Sequence, residues 1–105
     1  MRIDLPAPLP QYFAAGDRTA AADLFTLDAV VLDEGEVHRG SLEIAAWLDR
    51  VEQSYHPRYE LIDASSEGVR TVVTFKVSGT FAGSPLTLRQ ALVTAAGKIE
   101  SLETL

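Results

Sequence analysis

Two adjacent acids, Asp33 and Glu34, close the apolar run Ala29-Val30-Val31-Leu32 and stand directly before Gly35-Glu36. Side chains alternate along a strand, so a register that points Ala29 and Val31 inward points Asp33 inward as well. A carboxylate in an apolar cleft loses hydration, which favours its neutral form and makes it a stronger base near neutral pH. The chemistry this suggests is general-base removal of a proton, with Asp33 as the base and Glu34 beside it as an auxiliary group. His38, four residues on, is a second acid–base candidate because imidazole changes charge near neutrality. The competing reading is a solvated hairpin tip carrying two acids for no chemical reason. His56, before Pro57, reads as a helix-end residue whose charge complements the helix dipole.

The elements that must position these groups follow from composition and period. Pro6, Pro8 and Pro10 keep the opening segment extended, and Pro10 suits the first turn of a short helix running toward Ala15 and ended by Gly16. Asp17 is placed to cap a second helix through Phe25. Ala29–Asp33 and Val37–Arg39 form a small hairpin about Glu34-Gly35-Glu36. Ser41 is placed to cap a third helix in which Ile44, Trp47, Leu48, Val51 and Tyr55 recur at helical spacing and make one apolar face. Beyond Pro57 the period changes to that of strands: Arg58–Ala64, Val69–Phe81, Leu86–Thr94 and Lys98–Thr104, joined by turn-forming segments as an antiparallel meander. Helices first and strands afterwards predict an α+β domain over residues 1–105, with helices in the concave face of a curved antiparallel sheet.

Length and charge narrow the possible partners. A chain of 105 residues with a 47% hydrophobic fraction is sized for one domain with a real core. Its formal net charge of -6 leaves no basic stripe to neutralise phosphates, so neither nucleic acid nor an anionic membrane is expected as a partner. The chain has no cysteine, hence no disulfide framework and no thiolate site. The opening MRIDLPAPLP has neither the charged head nor the apolar core of a leader, and a cytoplasmic location is expected. The sequence has no paired-histidine motif, calcium loop, phosphate loop, serine elbow or dinucleotide fingerprint; no metal and no cofactor are expected.

The stretch from Leu24 to Leu48 resembles the signature of SnoaL-like domains in the nuclear transport factor 2-like superfamily. The matching residues are Phe25 at a helix end, Asp28-Ala29-Val30 opening the strand, Asp33 and Glu34, the Arg39-Gly40 turn, and Ile44 with Trp47 on the next helix. The resemblance implies a cone-shaped α+β domain with a pocket, assembled as a homodimer. The wider group includes ketosteroid isomerases, polyketide cyclases, epoxide hydrolases and non-catalytic binding modules. Laid on the isomerase pattern from Asp28-Ala29, Asp33 falls on the general-base aspartate. The position of the isomerase's oxyanion-binding acid falls on Arg89, and that of its tyrosine falls near Leu9. A permanent cation at 89 disfavours steroid isomerisation, yet a guanidinium on the inner face could stabilise an enolate, hold a carboxylate or pair with Asp33. Trp47, Tyr55, Phe75 and Tyr12 are the candidate ligand-binding residues, although aromatics at such spacing also serve as plain core.

The expectation is therefore a cofactor-independent isomerase, cyclase or hydrolase-like protein acting on a small hydrophobic carbonyl compound. The alternative is a non-catalytic ligand-binding or protein-interaction module of the same fold. The second-to-last strand has no plainly polar face, and this predicts a homodimer through the convex side of the sheet, using Val72, Thr74, Leu86, Leu88 and Leu92.

Overall fold

The computed structural model describes residues 3–105. Helix α1 (Leu9–Ala14) starts with proline in its first turn and buries Leu9, Tyr12 and Phe13, which fall on one side of a single turn and a half. Asp17 then caps Arg18–Leu24: its carboxylate accepts from the Thr19 amide at 2.9 Å and from the Thr19 hydroxyl at 2.7 Å. The capped segment is a 3-10 helix, not the α-helix expected through Phe25. Arg18 and Ala21 are its buried residues, spaced by three, and the tighter winding eclipses such positions on one stripe. Phe25 belongs instead to the first strand.

Strand β1 (Phe25–Asp33) and strand β2 (Glu36–Arg39) form the expected hairpin. Its turn is Glu34-Gly35, both at positive φ (52° and 77°), the backbone that matches a two-residue turn to the twist of its strands. Helix α2 (Gly40–Tyr55) begins one residue before the expected Ser41 cap. Its start is secured by Glu43, whose Oε1 accepts from the Arg39 amide at 2.8 Å. Ile44, Trp47 and Leu48 are the buried residues of α2, as their spacing predicts.

The remaining strands are β3 (Arg58–Glu67), β4 (Arg70–Ser78), β5 (Leu86–Ala95) and β6 (Lys98–Thr104). They complete a six-stranded sheet in the order β2-β1-β6-β5-β4-β3. All neighbours are antiparallel except β1 and β6, which run parallel and bring the hairpin beside the end of the chain. This is the expected α+β arrangement, with the helices against the concave face of the sheet. That face carries Val31, Val73, Phe75, Leu92 and Leu102, all buried, and Ile44 and Leu48 of α2 belong to the same core. Phe13 of α1 meets Phe75 at 5.3 Å and Tyr59 at 5.9 Å between ring centroids, joining the short helix to the sheet through aromatic edges.

Cross-strand register sorts the faces of β5. Phe75 lies opposite Leu88, Val77 opposite Leu86 and Thr71 opposite Leu92, and directly paired residues share a face. Leu86, Leu88 and Leu92 are thus concave, which corrects their expected place on the convex surface. Val72 and Thr74 are convex as expected, beside Ala91 and Arg89.

Candidate active site

The cone holds a cavity of about 300 Å³. Its apolar wall comes from α2 (Trp47, Val51, Tyr55), from the sheet (Tyr59, Phe75, Val77, Leu86, Leu88) and from Phe81 in the β4–β5 connection. Its polar groups are Asp33, Glu34 and Gln90. A second compartment of about 170 Å³ shares Asp33, Glu34, Trp47 and Tyr55 and adds Glu36, His38 and Arg50.

Asp33 occupies the boundary between the two spaces because it is the last residue of β1 on the Val31 side. Its Oδ2 accepts from the indole Nε1 of Trp47 at 3.1 Å. The bond fixes the carboxylate while its other oxygen makes no hydrogen bond among the described residues. Trp47 is itself held by packing: it is 6% exposed and stacks on His38, with ring centroids 5.8 Å apart and planes at 26°. Glu34, on the left-handed turn, accepts from the Tyr55 hydroxyl at 3.4 Å. Negative charge on Glu34 pushes the Tyr55 phenol up from its usual range, with smaller contributions from desolvation and Asp33.

Of the expected catalytic residues, the fold gathers Asp33, Glu34 and His38 around Trp47. Arg89 is not among them. It pairs with Thr74, is exposed on the convex side, and can neither meet a ligand in the cone nor pair with Asp33 across it. The residue that faces inward is its neighbour Gln90, opposite Val73. Of the expected ligand-binding residues, Trp47, Tyr55 and Phe75 line the cavity. Tyr12 does not: it is 1% exposed, packed edge-on against Phe13 and Phe25 beneath α1, and burial pushes its phenol well above the ordinary tyrosine range. His56 caps α2 in a left-handed conformation and contacts Glu52 at 3.3 Å, away from the cavity wall.

Two residues of the interior escaped the sequence reading. Gln90 is 6% exposed; its Nε2 donates to Thr104 Oγ1 at 3.1 Å, and its Oε1 is buried with no partner. The available signal was a single polar residue between Leu88 and Leu92 on one face. Arg18 is 1% exposed, with its guanidinium carbon 4.5 Å from the Tyr12 ring centroid and 4.6 Å from that of Tyr59. Nη1 donates to the carbonyls of Tyr12 at 2.9 Å and Ala15 at 3.2 Å, whereas Nε and Nη2 are buried without partners. Aromatic faces on both sides compensate part of the charge's lost hydration. The spacing of Arg18 to Ala21 marked it as inward; its charge argued against that. Among the described residues no group of three or more His, Asp or Glu side chains is arranged to hold a metal ion.

The model of the SnoaL-like domain matches residues 9–101. The chain belongs to the SnoaL-like domain family. Among solved structures, this SnoaL-like chain is similar to a "putative polyketide cyclase" from Sinorhizobium meliloti, with 34% identity, a TM-score of 0.90 and coverage of 97% of this chain and 96% of that one. A hypothetical protein with a ketosteroid isomerase-like fold from Catenulispora acidiphila, solved in complex with trimethylamine, shares the fold at 20% identity, TM-score 0.73, covering 90% of this chain and 78% of that one. A phenazine biosynthesis-related protein from Pseudomonas aeruginosa does so at 18% identity, TM-score 0.78, covering 91% and 70%. No sequence among the curated proteins matches the chain.

Proposed function

We propose that this SnoaL-like protein binds a small hydrophobic carbonyl compound in the cone and catalyses a cofactor-independent proton transfer of the isomerase or cyclase kind. The observation that carries this reading is the Asp33 carboxylate at the wall of an apolar cavity, anchored through one oxygen by Trp47. Asp33 takes a proton from the carbon next to the carbonyl: the C–H bond breaks, its electron pair moves into the enolate, and the proton resides on the carboxylate until it returns at the same or another position. Anchoring through Oδ2 holds the base in one orientation, which is what positioning contributes to such a step. His38, stacked on Trp47, and Glu34 are auxiliary groups of the second compartment.

The 34%-identical Sinorhizobium relative supports a cyclase-like activity for this chain, because ring closure of a polyketone begins with the same deprotonation. The test is hydrogen–deuterium exchange followed by NMR. Carbonyl compounds small enough for the cavity should exchange their α-protons in D2O faster with the protein than without it. Ligands that bind without any exchange would leave a non-catalytic binding module. The same protein is proposed to work as a homodimer through the convex sheet face, with Val72, Thr74 and Ala91 in the contact.

A further inference from the structure

With Arg89 on the far side of the sheet, the cavity wall contains, among the described residues, two carboxylates and no lysine, arginine or histidine. Arg18, stacked on Tyr59, does not line it; Arg50 and His38 line only the second compartment, where Glu36 adds a third acid. An enolate formed beside Glu34 therefore meets negative charge and no cation on the wall of its own cavity. A neutral ligand would also strip water from both carboxylates without replacing it by any donor of positive charge.

The second observation is Gln90. Leu32 of β1 pairs with Glu103, so Asp33 comes next along the strand beside Thr104, and Thr104 in turn lies opposite Gln90. Asp33, Thr104 and Gln90 thus occupy one row across three adjacent strands, with Asp33 and Gln90 about 10 Å apart at the backbone. The Gln90 amide is anchored through Nε2 on Thr104, and its Oε1 is a buried acceptor with no partner among the described residues. Buried acceptors in folded proteins are nearly always satisfied, so an orphan in the wall of a cavity points to a donor brought by the ligand. Carboxylates at one end of the row and an orphan carbonyl at the other define a seat for a positively charged N–H group in a wall that also contains Trp47 and Tyr59.

We infer that the carbonyl compound taken by this site carries a protonated amine, whose N–H groups satisfy Glu34 and Gln90 and leave the free oxygen of Asp33 to the α-proton, while its hydrocarbon body lies against Phe75 and Leu88. The inference rests on the proposed small-molecule site and supplies what that site lacks: the cation that offsets the developing enolate travels with the substrate. A positive charge close to the α-carbon also makes the α-proton easier to remove, because it stabilises the enolate more than the neutral carbonyl compound.

Three probes of nearly one shape separate charge from fit: benzylamine, protonated at pH 7; ethylbenzene, its neutral counterpart; and phenylacetate, an anion. Binding is read from the fluorescence of Trp47, the only tryptophan in the chain, and from ligand-observed saturation-transfer NMR. The amine is expected to bind about tenfold more tightly than either of the others. Gln90→Leu and Glu34→Gln should each reduce that preference, read as the ratio of benzylamine to ethylbenzene affinity, at least about threefold. Equal affinity for benzylamine and ethylbenzene, or preference for phenylacetate, overturns the cationic ligand while leaving the small-molecule site standing. Failure of all three to bind, by both readouts, overturns the site and the inference together.

Discussion

At the residue scale, Asp33 and Trp47 form a unit whose members do different work. Replacing Asp33 with Asn keeps an acceptor for the Trp47 N–H and removes the base, so affinity for a neutral ligand should stay within about threefold while α-proton exchange falls on the order of 100- to 10,000-fold. NMR exchange rates and fluorescence titration, run on the same ligand, measure the two separately; an Asn variant exchanging at the parent rate removes Asp33 as the base. Trp47→Ala should act on both binding and folding. The indole is almost fully buried, and its loss should destabilise the protein by about 3–5 kcal/mol in urea unfolding as well as weaken every cavity ligand. Tyr12 and Tyr59 carry a pH signature. Burial raises both phenols above the ordinary value of 10.0, so the folded state holds these protons more tightly than the unfolded chain. Their contribution to stability is complete below about pH 10 and declines as pH rises from there through the raised folded-state values. Thermal melts across pH 9 to 12 should show this decline, and Tyr12→Phe should make it shallower.

At the scale of elements, the site depends on where α2 ends. The Tyr55 carbonyl accepts from the Thr80 amide at 2.8 Å, and Ser84 Oγ accepts from the Gly79 amide at 2.9 Å, tying the β4–β5 connection to the end of the helix. A Cβ on Gly79 would lie 2.2 Å from the Tyr55 carbonyl oxygen, a backbone atom that cannot turn aside. Gly79→Ala should therefore displace the connection that brings Phe81 to the cavity, at a cost of about 1–3 kcal/mol in stability. Ligand affinity should fall by more than that of a distant variant matched for stability; unchanged affinity would mean that Phe81 is dispensable. In the same last turn of α2, Glu52 Oε1 accepts from the Arg18 amide at 2.7 Å and docks the 3-10 helix on α2. That docking places the Arg18 side chain between Tyr12 and Tyr59, a position no local pattern in residues 17–25 would assign to a charged group.

At the scale of the whole molecule, the convex face carries Val72, Ala91 and Val93 across neighbouring strands, with Leu32 and Val37 exposed toward the hairpin edge. A second copy of the chain would cover such a surface, and Val72→Asp should then halve the mass seen by light scattering at micromolar concentration without large loss of fold stability; a parent protein already monomeric there would remove the dimer. Legibility in the sequence followed the range of the forces involved. The Glu34-Gly35 turn, the apolar stripe of α2 and the alternation along β4 are set by neighbours within a few residues, so they were readable, and with them the family and the inward turn of Asp33. The faces of β5 were not. Both carry apolar residues, and the strand is joined to β4 through residues 79–85 rather than by a two-residue turn that would fix its register locally. Only pairing with β4, residue against residue, turned the leucines and Gln90 into the cone and Arg89 out of it. The sequence alone determined the cone and its acidic rim; tertiary structure decided that Gln90 and not Arg89 faces the cavity, because the inner face of a strand without a clear polar side is chosen by its partners.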